Sequence, residues 1–300
     1  MRSFLALSRS THGVLDIAMP GFAALLWLGH FPRWPVLLVA LLTALAGYTA
    51  LYALNDIIGV KVDREKFAGA GPNAGYSVEA SDLRYPIAQG KLSLGKGIAW
   101  FSAWFVIALI GAYWLNPLLV WVVLAAPILE TVYCLLFKVS WWRVLVSGVV
   151  KSLGPVAAVL AVVPRPDPAL LGLMVAWLMA WEIGGQNVPA DWNDVEEDRR
   201  VGARTIPLVF GEKVAGRVVV VALLATLALG WLLPRMAAPE LGLGLRFQLG
   251  MLAIGVVLLL IPGVQLLRSH EGRRAAKLFD RASLYPLALL ALITAWILLG

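Results

Sequence analysis

Apolar stretches near the length of a bilayer crossing recur from one end of the chain to the other, and they restrict the fold more than any other feature. Nine are legible, over roughly 13–30, 35–58, 96–115, 117–136, 143–164, 168–188, 213–233, 246–267 and 282–299. Inside hydrocarbon the backbone has no water to bond, so segments of this length satisfy their own amides and carbonyls as helices. A membrane barrel would alternate polar and apolar residues in segments of roughly ten, and no such alternation is present. With 60% of residues hydrophobic and only 14% charged, a water-soluble domain is excluded. The connections are mostly short. The expectation is an all-α polytopic membrane protein, one domain over residues 1–300, with about nine transmembrane helices surrounding a central cavity.

The amino end carries Arg2 and Arg9 before an apolar run, as a signal peptide would. No small-residue cleavage site follows, so the segment is expected to stay as the first span. Cys134 falls inside a predicted helix, with neither a disulfide partner nor metal-ligand spacing. The net charge of +7 does not signal nucleic acid, because of where the basic residues fall. With the amino terminus in the cytoplasm, that side receives most of them, including Lys61, Arg64, Lys66, Arg84, Lys138, Arg143, Arg199, Arg204 and Arg273. The opposite side keeps Arg33, Arg165, Arg235 and Arg246. This asymmetry is what the positive-inside rule demands of a nine-span protein in the cell membrane.

Two cytoplasmic connections are more than turns. They run from about Asn55 to Lys96 and from about Asn187 to Lys213. Each opens with amides and carboxylates and then reaches an Arg, a Pro and a Gly: Arg84, Pro86 and Gly90 in the first, Arg204, Pro207 and Gly211 in the second. The stretch between Phe67 and Ser77, with Gly, Ala and Asn, predicts a mobile loop.

In the second connection Asp191, Asp194 and Asp198 are spaced i, i+3 and i, i+4, which puts all three on one helix face. Three carboxylates on one face repel each other, and a hard divalent cation with oxygen ligands relieves that repulsion. In the first, Asn55 and Asp56 precede Asp63 by about two turns, so Asp56 and Asp63 share a face. Two such helices facing each other would hold Mg²⁺ between them, and Mg²⁺ commonly binds a few carboxylates together with substrate phosphates. Arg84, Arg204 and nearby lysines would contact the remaining phosphate oxygens. That set of groups is what activating a diphosphate leaving group requires. Glu65, Glu196, Glu197 and Lys61 read as solvated charges flanking the membrane.

On these residues the chain resembles the UbiA-type family of intramembrane prenyltransferases over nearly its whole length. The resemblance rests on an N-D…D motif after the second span and a D-x-x-D-x-x-x-D motif after the sixth. It extends to the segments Arg84 to Ser93 and Gly202 to Gly211, and to the Tyr133…Lys138 stretch after the fourth span. It implies Mg²⁺-dependent transfer of a prenyl group from a prenyl diphosphate to a small or lipidic, often aromatic, acceptor. It also implies metal-site roles for Asn55, Asp63, Asp191, Asp194 and Asp198, with Asp56 beside them, and diphosphate contacts from Arg84, Lys138 and Arg204. Gly59 stands where the family places the middle Asp of its first motif, and Tyr85 where it places an Arg.

Asp16, Glu130, Lys151 and Glu182 lie within predicted spans, where a charge faces a cavity or a partner. Lys151 would neutralise Glu130 or Glu182, and His12 would orient an acceptor or serve structure alone. The Trp residues, among them Trp34, Trp114, Trp141, Trp142, Trp181 and Trp192, mostly suit interfacial anchoring. Two other readings stay open. One is a family member that uses a sugar diphosphate donor with a polyprenyl phosphate acceptor. The other is a cation-coupled transporter, which broken helices at mid-membrane would favour. A CDP-alcohol phosphotransferase is excluded, because the D-x-x-D-G-x-x-A-R run is absent.

Overall fold

The computed structural model describes residues 2–67, 84–237 and 241–299, and among them there is no β-strand. The loop expected between Phe67 and Ser77 lies outside the described residues beyond Phe67 itself. The amino end forms α1 (Arg2–Leu7), α2 (Ser10–Asp16) and α3 (Ala18–Leu28). Then come α4 (Trp34–Lys66), α5 (Leu94–Leu115), α6 (Leu119–Leu135), α7 (Arg143–Val162) and α8 (Pro168–Trp181). A π-helical turn, Glu182–Asn187, continues α8 into α9 (Val188–Asn193), followed by α10 (Val195–Arg200) and α11 (Ile206–Phe210). The chain finishes with α12 (Glu212–Met236), α13 (Leu245–Gly255), a second π-helical segment (Val256–Leu260), α14 (Ile261–Ser269) and α15 (Gly272–Leu299).

Eight of these helical runs are long and apolar enough to cross a membrane. The ninth expected span is the shorter apolar helix His12–Leu28, broken at Ile17 where α2 meets α3. It stops at Gly29, which takes a left-handed φ of 77° that glycine adopts without strain. Elsewhere the starts follow local chemistry: Asp167 caps α8 by accepting from the Ala169 amide at 2.8 Å, with Pro168 in the first turn.

Two helices outrun their sequence limits for one reason, and a third runs on through a π-helical turn. The second span was expected to end near residue 58, yet α4 runs to Lys66 because its last turns are amphipathic. Asp56, Val60, Asp63 and Lys66 are buried, whereas Lys61, Arg64 and Glu65 are exposed. The last span was expected from 282, yet α15 starts at Gly272: Ala275, Ala276, Leu278 and Phe279 pack inward while Arg273 and Lys277 face out. The sixth continues through its π-helical turn as far as Asn193. The acidic motifs are therefore helix ends and not loops.

The helices pack in a closed circuit, α3 against α7 and α15, α7 against α6 and α8, α8 against α12, and α14 against α15. α4 lies along α5 and also meets α6. At Gly111 of α5 any Cβ would fall 2.0 Å from the Thr43 hydroxyl oxygen, so glycine is what permits that approach. The largest core, with Phe22, Trp177, Trp181, Phe247 and Tyr285, fills the side of α3, α8, α12, α13 and α15. Trp181 and Trp192 belong to this interior, at 1% and 3% exposure, and not to the interface. Trp34, Trp114, Trp141 and Trp142 are exposed, as anchoring predicts. A smaller core of Leu7, Ala53, Val60, Ile87 and Leu92 docks the segment after Arg84 onto α4.

Candidate active site

Beside this circuit lies a polar cavity of about 390 Å³, walled by α2, α4, α6, α7, the π-helical turn, α9, α10 and α15. Asn55, Gly59, Asp63 and Lys66 reach it from α4, and Asp191, Asp194 and Asp198 from the second motif. Residues of both motifs thus face one space, with Asp56, grouped with Asp63 by spacing, left off its wall. Asp194 interrupts the helix between α9 and α10, yet the Asp198 amide still donates to its carbonyl at 2.9 Å, so one turn of register is kept.

Buried cations hold these carboxylates. Lys66 Nζ is 2.6 Å from Asp198 Oδ1, and Arg143 Nη2 is 2.5 Å from Asp191 Oδ1. The Arg143 guanidinium also lies over the rings of Tyr133 (4.4 Å) and Phe137 (4.7 Å), which fixes its plane. Burial raises the Asp198 carboxyl above the usual carboxylate range, with Lys66 opposing the rise. Among the described residues no three carboxylate, histidine or cysteine side chains already converge as a metal cage.

The first motif divides its roles. Asn55 faces the cavity and donates to Glu130 Oε1 at 2.6 Å. Asp56 is buried off the cavity wall, 3.6 Å from Arg9. At Gly59 a Cβ would sit 3.0 Å from Asp63 Oδ2, so the absent side chain leaves the Asp63 carboxylate its room.

Of the three basic residues singled out in the sequence, Lys138 lines the cavity and pairs with Glu65 at 2.7 Å. Arg84 is buried behind the wall, 3.5 Å from Asp194 and 3.8 Å from Glu197. Glu197, read from sequence as a solvated charge, is in fact 1% exposed. Tyr85 takes the place on the cavity that its neighbour leaves. Its backbone is left-handed, with φ 57°, and its ring lies under Arg84 (5.0 Å) and Arg9 (5.6 Å) and beside Phe67 (5.2 Å). Burial raises the Tyr85 phenol above its ordinary value, opposed by Arg84 and Arg9. Arg204 is exposed and not among the lining residues; its amide donates to the Phe137 carbonyl at 2.9 Å. Arg143, Lys66 and Arg9 were not singled out by sequence reasoning. Arg143 and Lys66 had the signal of a cation at a span boundary, but positive-inside charge supplies many such residues, and only the fold tells them apart.

Deeper in the cavity the intramembrane charges pair differently from the sequence expectation. Lys151 Nζ contacts both Asp16 oxygens at 2.8 Å, and Tyr52 donates to the same carboxylate. His12 is buried 3.6 Å from Asp16 and stacks on Phe279 with centroids 5.3 Å apart. Tyr48, Leu51 and Val150 border both this cavity and a second, apolar one of about 460 Å³ between α3, α4, α6 and α7.

A family model described as the UbiA prenyltransferase family matches residues 17–297. Among solved structures the fold is similar to an apo UbiA homolog from Aeropyrum pernix K1, with TM-score 0.73, 18% identity, and 96% of this chain and 97% of that one covered. It is also similar to a UbiA homolog from Archaeoglobus fulgidus bound to DMAPP and Mg²⁺, at TM-score 0.70 and 17% identity over 97% and 99%. A digeranylgeranylglyceryl phosphate synthase aligns at TM-score 0.67 and 15% identity over 99% and 98%. No curated protein matches the sequence.

Proposed function

This chain belongs to the UbiA prenyltransferase family, whose model spans residues 17–297, and on that premise we propose that it transfers a prenyl group from a prenyl diphosphate to an acceptor within the membrane, with Mg²⁺. One observation carries the reading. Asp63, Asp191, Asp194 and Asp198 share a polar cavity with Lys66, Arg143 and Lys138, and that cavity meets an apolar one at Tyr48, Leu51 and Val150. A charged head and a hydrocarbon tail have adjoining compartments.

The donor set fits Mg²⁺. It is all hard oxygen, and the absence of a closed cage suits a cation that takes a few carboxylates and completes its shell with phosphate. Asp63, Asp191, Asp194 and Asp198 would hold it, with Asn55 beside them, and it would supply Lewis-acid stabilisation of the departing diphosphate. Lys66, Arg143 and Lys138 would donate to diphosphate oxygens and take up charge as the allylic C–O bond opens. Arg84, behind the wall, would position Asp194. The Tyr48 and Tyr52 faces border the space where an allylic cation would develop and favour positive charge there. Asp56 and Arg204 lie off the cavity and are assigned no direct contact. The homologues from A. fulgidus bound to DMAPP or GPP with Mg²⁺ support this donor class.

The basic asymmetry of the loops supports a cell-membrane orientation with the amino terminus and both motifs cytoplasmic. The transporter alternative called for broken helices; the first span is broken at Ile17, whereas both π-helical segments, Glu182–Asn187 and Val256–Leu260, run on into the helices that flank them.

The test is binding of a non-hydrolysable geranyl thiolodiphosphate to purified protein with and without Mg²⁺. Binding is expected to need Mg²⁺ and to be lost in Asp63→Ala and Asp191→Ala. Equal binding in EDTA, or full binding by both variants, refutes the assignment.

A further inference from the structure

The chain carries cations of its own into the acidic motifs. Lys66 lies one turn beyond Asp63 on α4 and is 8% exposed. Its Nζ crosses to Asp198 Oδ1 at 2.6 Å, and the ammonium also sits 4.5 Å from the centre of the Phe137 ring. The contact ties α4 to α10, and so one motif to the other. A divalent ion between two sets of carboxylates makes the same tie. An ammonium has three N–H donors, so the one held by Asp198 leaves two for phosphate oxygens.

Gly59 completes the pattern. Gly59, Asp63 and Lys66 stand at i, i+4 and i+7 on one face of α4, and all three line the cavity. Among the described α4 residues on that wall, Asp63 is the one carboxylate and Lys66 the one cation. In the second motif the carboxylates are already engaged from within. Asp191 Oδ1 meets Arg143 at 2.5 Å, Asp198 Oδ1 meets Lys66, and Asp194 meets Arg84 at 3.5 Å and the Asn193 amide at 2.9 Å. Asp63 and the second oxygens of Asp191 and Asp198 are what the internal donors leave to an external ion.

Charge sets the same limit. At this end of the cavity five carboxylates, those of Asp63, Asp191, Asp194, Asp198 and Glu197, face three cations, Lys66, Arg143 and Arg84. Arg9 with Asp56 and Lys138 with Glu65 balance as pairs. The deep end keeps a separate set: Lys151 and His12 with Asp16, Asn55 with Glu130, and Ser147 with Glu182. Five against three leaves two negative charges, which one divalent ion cancels. Without Lys66 the excess is three, more than one such ion cancels.

We infer that the Lys66 ammonium is a built-in cation standing where a second divalent ion would otherwise bridge the two motifs, so that the site takes one Mg²⁺ per chain with its diphosphate. The inference rests on the prenyl diphosphate and Mg²⁺ reading above.

Mn²⁺ bound per chain, measured by equilibrium dialysis of the full chain in detergent with geranyl thiolodiphosphate, tests it. Wild type and Lys66→Arg are expected to hold one ion, and Lys66→Met and Lys66→Gln two. In the two-ion variants the Mn²⁺ electron paramagnetic resonance spectrum should be that of a coupled pair, as ions about 3.5–4 Å apart give. Wild type should give a single-ion spectrum. Binding of the analogue reports that each variant folds. Two ions in wild type overturn the inference whatever the variants do. So does a second ion that fails to appear, or appears uncoupled, in folded Lys66→Met and Lys66→Gln. A wild-type protein that binds neither Mn²⁺ nor the analogue removes the underlying reading and this inference with it, an outcome distinct from a count of two.

Discussion

Arg143 and Asp191 offer the sharpest test of how the acidic motifs are held. Their side chains are 6% and 10% exposed and 2.5 Å apart. At that separation the gross attraction is about 7 kcal/mol for an effective dielectric near 20. Desolvation of both charges offsets much of it, so the intact pair is worth far less than this figure. Removing one partner is different, because the other stays buried and uncompensated, at about 3–5 kcal/mol. Arg143→Met also loses the contacts over Tyr133 and Phe137, worth about 1 kcal/mol. Arg143→Met is therefore expected to cost about 4–6 kcal/mol, and Asp191→Asn about 3 kcal/mol. Arg143→Met with Asp191→Asn should cost no more than Arg143→Met alone, a coupling of about 3 kcal/mol. Unfolding in mixed micelles, followed by tryptophan fluorescence, to which the buried Trp177 and Trp181 contribute, measures all four corners of the cycle. Costs that simply add, to within about 0.5 kcal/mol, would refute the claim that this pair is a coupled, desolvated unit.

Two glycines yield further expectations. A Cβ at Gly154 would lie 2.5 Å from the Tyr48 hydroxyl oxygen and 3.2 Å from its Cζ. Gly154→Ala should cost about 1–3 kcal/mol and, by shifting Tyr48 where the two cavities meet, change the preference between C10 and C20 donor analogues. An unchanged ratio of the two dissociation constants would mean Tyr48 does not control the passage. Gly59→Asp adds a carboxylate one turn before Asp63, where the Cβ alone is 3.0 Å from Asp63 Oδ2. That variant should melt lower than wild type in EDTA and gain more from added Mg²⁺. A smaller Mg²⁺-induced rise in melting temperature than that of wild type would argue against a cation at Asp63.

The sequence alone determined the all-helical membrane architecture, because hydrocarbon leaves a spanning backbone no other way to satisfy its hydrogen bonds. It also grouped Asp191, Asp194 and Asp198 on one helix face, since spacing is local information, but that Asp63 faces them while Asp56 does not came only from helix packing. Helix ends were less legible: α4 and α15 extend past the apolar run because their charged faces point outward while buried residues continue along the other side. Only the tertiary structure decided which cation serves which carboxylate. Lys66 and Arg143 look like any other basic residues in the sequence, Lys151 stands out within a span without showing its partner, and partners 132, 48 and 135 positions away are set by helix packing alone. The same is true of Glu182 and Asn187. A π-helical turn leaves no mark in composition, yet its extra residue per turn is what brings both onto the wall of one cavity.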